Sequence, residues 1–189
     1  MTESKKDGTV KAIGLMSGTS LDGIDAAILE TDGDAIVSPG AALNRPYDPE
    51  LRAQLRAMLK EAAAAPTGGE MSERMRETES RLTMEHAAVV KSLLSDAGLD
   101  AADIAYVGFH GQTILHRPRD QRSWQLGDGA RLAAETGIPV VNDFRQADIA
   151  SGGQGAPFAP LYHQALARGA GALLPMVVLN IGGVANVTY

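Results

Sequence analysis

The stretch Ile13-Gly14-Leu15-Met16-Ser17-Gly18-Thr19-Ser20-Leu21-Asp22-Gly23-Ile24-Asp25-Ala26-Ala27-Ile28-Leu29-Glu30 is two apolar runs separated by a turn rich in glycine and hydroxyl groups. Runs of this kind around a short polar turn predict a β-hairpin. Its tip, Ser17 to Asp22, suits phosphate. Gly18 and Gly23 carry no Cβ, so the backbone can turn tightly and approach a ligand. Ser17, Thr19 and Ser20 offer hydroxyls, and successive N–H groups in a turn can form an anion-holding nest. From this stretch alone, an ordinary hairpin with a polar tip reads equally well.

The tip contains no lysine, which separates it from the loop of P-loop enzymes, and no Gly-x-Gly-x-x-Gly follows a strand anywhere. The chain has 189 residues, 44% hydrophobic and 21% charged, a composition for a folded core rather than a disordered segment. Its net charge of −6 and lack of a Lys/Arg block argue against a nucleic-acid partner. It has no cysteine, so disulfides and thiolate metal sites are excluded and a reducing compartment fits. The polar N-terminus has no signal-peptide core, and no run approaches the ~20 apolar residues of a membrane helix, so a soluble, cytoplasmic protein is expected.

Outward from the hairpin, strand-like runs at Val10–Leu15, Ile24–Glu30 and about Ala35–Leu43 predict an antiparallel meander. Asp48-Pro49 opens a helix with Leu51, Leu55, Met58, Leu59 and Ala62 on one face. After Pro66-Thr67-Gly68-Gly69, a second helix is expected from about Ser72 to Ala97, stopped by Gly98. Met75, Leu82, Val89 and Leu93 form its buried stripe, and His86 falls on that stripe as a core residue. Ile104–Phe109 reads as a strand buried on both faces, ending at His110-Gly111-Gln112-Thr113. A strand near Ser123–Leu126, a helix Gly129–Glu135, a strand Ile138–Val141 and a helix near Leu161–Ala167 follow. Pro175–Ile181, Gly182-Gly183 and Asn186–Tyr189 then imitate the opening hairpin. Antiparallel strands followed by strand–helix alternation imply a mixed α/β sheet flanked by helices.

Polar groups collect directly after apolar strands, where α/β proteins place ligands. Asp22 and Asp25 could hold Mg²⁺ beside phosphates or cap their own turn. His110 and Gln112 could reach substrate hydroxyls or pack a loop. In Asn142-Asp143-Phe144-Arg145-Gln146-Ala147-Asp148, Arg145 could clamp an anion or pair with a neighbouring carboxylate to fix the loop. Gly152–Gly155 could admit a ligand to the backbone or be a flexible turn. His110 and His116 lack further ligands spaced for one metal ion, and there is no Gly-x-Ser-x-Gly nucleophile elbow.

Five strings in order resemble the anhydro-N-acetylmuramic acid kinases: Gly14 to Asp25, His110-Gly111-Gln112-Thr113, Asp143-Phe144-Arg145 with Asp148, Gly152 to Pro157, and Leu179 to Gly183. The resemblance implies an actin-like (RNase H-like) ATPase fold of two related domains with ATP and Mg²⁺ between them. It implies transfer of the γ-phosphate to O6 of 1,6-anhydro-N-acetylmuramic acid while water opens the anhydro ring, in cell-wall recycling. By the same carry-over Gly18, Thr19, Ser20, Leu21, Asp22, Gly23, Ile24 and Asp25 would bind ATP phosphates, joined by Asn180, Gly182 and Gly183 of the second hairpin. His110, Gln112, Thr113, Asp143, Arg145 and Asp148 would bind the sugar; the Arg145 guanidinium suits its lactyl carboxylate, and Asp22 or another carboxylate would help hold the metal. Met16 stands where actin-like ATPases generally carry an aspartate, an oddity this family shares. The family's general base is an aspartate expected beyond Tyr189. Residues 1–174 are therefore expected to be a first domain, and 175–189 the start of a second. On this reading the chain is the N-terminal half of the kinase, inactive alone, and a homodimer of the full-length protein is compatible with it. A non-catalytic sugar- or anion-binding domain is the alternative.

Overall fold

A computed structural model describes residues 8–35, 37–65, 70–173, 175–181 and 185–189. The opening stretch forms the expected hairpin. β1 (Val10–Ser17) and β2 (Gly23–Thr31) pair antiparallel, with Ser17 opposite Ile24, and β3 (Val37–Pro46) completes the meander on β2. Alternate residues of β1 and β2, among them Ile13, Leu15, Ile24, Ala26 and Ile28, turn to one face and are buried.

Two helices cover that face. The Asp48 carboxylate caps α1 (Pro49–Ala64) by accepting from the N–H groups of Glu50 and Leu51, both at 2.9 Å. Ser72 caps α2 (Glu73–Ala97), and Gly98 ends it at φ 64°, a left-handed conformation that costs glycine little. Arg81 of α2 reaches back to Asp48 at 2.9 Å and Glu50 at 3.1 Å.

After α2 the chain returns as β4 (Tyr106–Arg117), parallel to β1. β4 is longer than the expected Ile104–Phe109, because His110 to Thr113 lie within it. Gly111 bends the strand at φ 66°, and its second half then pairs with β5 (Arg122–Leu126). β6 (Val140–Asn142) runs parallel to the first half of β4 after α3 (Gly129–Thr136). The sheet order is β3-β2-β1-β4-β5, with β6 also on β4.

One expectation fails in β4. Its first half is buried on one face only: Val107 and Phe109 are enclosed while Tyr106 is 52% exposed. The other face is shallowly lined by Ala12, Gly14, Ala27, Tyr106 and Val141, with Tyr162 of α5 (Ala159–Gly169) at its margin. α4 (Gln146–Ala150) is a short helix within a segment read as loop. β7 (Val178–Ile181) and β8 (Ala185–Thr188) form a separate two-stranded sheet.

Two apolar clusters hold the main sheet to its helices. One joins β1, β2 and β4 to α2 and α3 around Ile13, Phe109, Val89 and Leu132. The other joins α1 and the start of α2 to β4, β5 and Leu21. Each fully buried Leu or Ile contributes about 1.5–3 kcal/mol, so the clusters dominate the stability.

Candidate functional site

The tip of the first hairpin projects from the carboxyl end of β1. Leu21 occupies φ 54°, unusual for a leucine, while its N–H donates to Gly18 O at 3.1 Å and its side chain is buried in the second cluster. The turn is thus stapled to the core by an apolar anchor. The outward groups are Thr19, Ser20 and Asp22, with Gly18 half-buried. Ser20 Oγ donates to Asp22 Oδ1 at 2.8 Å. That hydroxyl, helped by backbone N–H groups of Asp22 and Gly23, holds the Asp22 carboxyl below the usual carboxylate range. Asp22 is a solvated anion with one oxygen uncommitted to Ser20.

Beneath the tip the chemistry changes. Ser17, read from sequence as a hydroxyl donor to phosphate, is 1% exposed and turned inward, with its Oγ 2.7 Å from His86 Nε2. His86 Nδ1 lies 2.8 Å from the Leu82 carbonyl, which can only accept. The proton therefore sits on Nδ1, and Nε2 accepts from Ser17. Burial drives the His86 imidazole down to about 4, so the ring is neutral. Gln112 is fully buried on the other side, its Nε2 donating to Gly18 O at 3.2 Å. Tyr47 completes this layer, its phenol pushed up to about 12 by burial.

Across β4 from the tip, a cleft of about 260 Å³ opens between the bend of β4, β5 and the end of β6. His110, Asp143, Asn142, Gln125, Ser123 and Gln146 supply its polar groups, and Trp124 and Phe109 its aromatic surface. Asp143 sits at φ 56° and burial raises its carboxyl. Gly127 lets the wall close on Phe109, since a Cβ there would meet the ring edge at 2.5 Å. The tip and the cleft both lie at the carboxyl ends of parallel strands, β1 on one side and β4 and β6 on the other.

His110 Nδ1 donates to Gly111 O at 2.7 Å, leaving Nε2 to accept from Arg145 Nη2 at 2.7 Å. Burial, then the Arg145 charge, lowers the His110 imidazole. Arg145 Nη1 donates to Gly155 O at 2.6 Å, and Asp148 accepts from Gly155 N at 2.6 Å. Arg145 and Asp148 therefore brace the glycine-rich loop, each through the backbone of Gly155 rather than as an ion pair with one another.

Residues 10–189 match the family model for anhydro-N-acetylmuramic acid kinase. The chain belongs to this family. It is 52% identical to an anhydro-N-acetylmuramic acid kinase of Paramagnetospirillum magneticum over 94% of its length, 51% identical to one of Methylobacterium nodulans over 95%, and 50% identical to one of Rhodospirillum rubrum over 98%. Those alignments cover 47%, 50% and 47% of the relatives, so the chain spans about half the length of the curated kinases it matches.

Within this kinase family member, the residues expected to bind phosphate divide by exposure. Gly18, Thr19, Ser20 and Asp22 can meet a ligand. Leu21 and Ile24 are core side chains, and Gly23 is buried because a Cβ there would lie 2.8 Å from Pro46 Cα. Asp25 projects to the opposite face, where Asn44 donates to it at 2.8 Å. Asn180 is exposed on β7, and Gly182 and Gly183 lie outside the described residues. Of the sugar-side residues, His110 and Asp143 line the cleft. Thr113 accepts from Gln125 at 3.3 Å, behind the lining, while Gln112 belongs to the hairpin and Arg145 and Asp148 to the loop. Sequence reasoning missed Trp124, Gln125, Asn142 and Gln146. The first two sat in the expected short strand near Ser123–Leu126, to which no site role was given, and its pairing with the bent half of β4 brings them to the cleft. Among the described residues no cluster of three His, Asp or Glu forms a metal site. Among the described residues no helix is long and apolar enough to cross a membrane.

Proposed function

We propose that the complete gene product is a cytoplasmic ATP-dependent kinase of 1,6-anhydro-N-acetylmuramic acid and that this chain supplies the first phosphate-binding hairpin and much of the sugar pocket. The reading is supported by the placement of a glycine- and hydroxyl-rich turn at the carboxyl end of β1 and of a polar, aromatic-walled cleft at the neighbouring ends of β4 and β6. The order β3-β2-β1-β4-β6, antiparallel first and parallel afterwards, supports an actin-like domain, and the separate β7–β8 sheet supports the start of a second.

Phosphoryl transfer depends on positioning and on neutralising charge along the phosphates. The N–H groups at Gly18, Thr19 and Ser20 and the Thr19 hydroxyl would supply donors for phosphate oxygens. Asp22, charged and open to solvent, fits a Mg²⁺ ion, which binds one or two carboxylates together with substrate phosphates. Bound there, the ion would offset phosphate charge. In the cleft, Trp124 offers a flat surface to a sugar ring, and Asn142, Gln125 and Asp143 offer groups for its hydroxyls and amide. The reaction adds water oxygen to C1, breaks the C1–O6 bond and moves the γ-phosphoryl to O6, releasing ADP and a proton. Activating that water takes a base, worth about a hundred- to ten-thousand-fold, and none of the cleft residues is assigned to it. The 189-residue chain alone is therefore expected to be inactive.

The test is to incubate the complete gene product with magnesium-ATP and 1,6-anhydro-N-acetylmuramic acid and to follow the mass of the sugar. N-Acetylmuramic acid 6-phosphate should form, and it should not form with the 189-residue chain alone. A folded gene product that leaves both substrates unchanged would overturn the assignment.

A further inference from the structure

His86 has no part in the chemistry described so far, yet it is an expensive residue to place. It sits in the middle of α2 at 0% exposure, on a stripe where a leucine would be buried at no polar cost. Every polar atom of its ring is engaged: Nδ1 on Leu82 O and Nε2 on Ser17 Oγ. Its ring edge meets Phe109 with centroids 4.9 Å apart and planes inclined by 63°, which fixes its tilt.

Ser17 is the last residue of β1 before the tip. The β1–β4 register slips between Leu15 and Ser17, so the regular ladder gives way where the turn begins. Two side chains from distant parts of the chain act there instead. His86 holds Ser17 from α2, and Gln112 holds the Gly18 carbonyl from β4. Leu21 anchors the far side of the same turn in the second apolar cluster. The outward groups at Thr19, Ser20 and Asp22 are therefore carried on a buried support made by His86, Gln112 and Leu21.

We propose that His86 is a positioning residue for phosphoryl transfer: through Ser17 it holds the hairpin tip in the conformation that receives the ATP phosphates. This rests on the kinase reading above. His86 touches no substrate; it acts through Ser17, in the way that supporting hydrogen bonds fix the groups that do. Deeply buried and held at both ring nitrogens, it keeps the Ser17 hydroxyl turned inward beneath the tip.

The experiment uses the complete gene product with three substitutions: His86→Phe, which keeps the ring and removes the acceptor; His86→Gln, which restores an acceptor; and Ser17→Ala, which removes the hydroxyl. Wild type comes first. No ATP-dependent phosphorylation of the sugar by folded wild type overturns the kinase reading and this proposal with it. With active wild type, His86→Phe and Ser17→Ala should each lower kcat/KM for magnesium-ATP about ten- to a hundred-fold, the scale of a small misplacement. Both should leave the KM for the anhydro-sugar within about twofold. The double variant should be no worse than the poorer single one, and His86→Gln should recover most of the loss. Amide exchange at Gly18 to Ser20 should quicken in both damaged variants while α2 stays protected. Unchanged ATP kinetics, losses that add, or an equal rise in both KM values would overturn the proposal and leave the kinase reading standing. If His86→Phe does not fold, Ser17→Ala, which deletes one oxygen, decides alone.

Discussion

The molecule contains two hairpins built on one sequence plan, strand, glycine turn, strand, and they come to opposite ends. In β1–β2, Ile13 and Ile24 are each 1% exposed, whereas in β7–β8, Leu179 is 56%, Ile181 75% and Val187 59% exposed. The first hairpin has β3 and β4 on its edges and α2 across one face. The second is a sheet of two strands, tied to α5 by His163 Nδ1 and Thr188 Oγ1 at 3.0 Å. An alternating apolar pattern thus states which residues could be buried; burial itself depends on what packs against them.

The harshest way to break the comparison is Gly23→Val. A side chain there would run into the backbone of Arg45 and Pro46 and force β3 off β2. A loss beyond about 4 kcal/mol is expected, seen as the disappearance of a cooperative urea transition. A matched pair of truncations is the direct measurement. Ile24→Ala should cost about 2–5 kcal/mol, as buried isoleucines do. Ile181→Ala, at an exposed position, should stay within about 0.5 kcal/mol. Similar urea midpoints for the two variants would mean the second hairpin is buried as deeply as the first.

Acid sharpens the contrast less severely. The His86 imidazole takes its proton near pH 4 in the folded chain and near 6.5 in the unfolded one, so the unfolded state binds more protons between these values. Stability is whole above about pH 6.5 and is lost as the pH falls toward 4. From pH 7 to pH 5 the loss should be about 2 kcal/mol, read as a drop in Tm, and His86→Gln should flatten it. An unchanged slope in His86→Gln would show that other groups carry the acid sensitivity. The smallest effect concerns the cleft. In the complete gene product, Trp124→Ala should raise the KM for the sugar about fivefold, near 1 kcal/mol of stacking, without moving the KM for ATP. A shift in the ATP constant instead would mean the cleft and the hairpin are one site.

Much of this was legible in the residues. Asp48-Pro49, Ser72 and Gly98 mark helix ends by satisfying or sparing backbone groups locally, and they do so in the structure. The Ile13–Glu30 stretch marked its hairpin by glycine and alternation. Less legible was which side chain faces where. Leu21 and Ser17 belong to the same polar-looking turn as Ser20, yet both point into the protein. Arg145 and Asp148 looked suited to a ligand, and the structure shows them also bracing Gly155, ten and seven residues further along the chain. His86 looked like a plain core residue because its partner is 69 positions away.

The amino-acid order by itself determined most of the elements, their caps, the glycine- and hydroxyl-rich turn and the family, since these depend on neighbours along the chain; it did not show the length of β4 or the short α4. The tertiary structure alone decided that β4 bends at Gly111 to build a cleft with β5, that Ser17 serves His86 rather than a ligand, and that one hairpin is buried and the other exposed. The physical reason is range. Capping and turn energies act over a few residues, whereas burial and the pairing of polar atoms depend on segments that meet only when the whole sheet has formed.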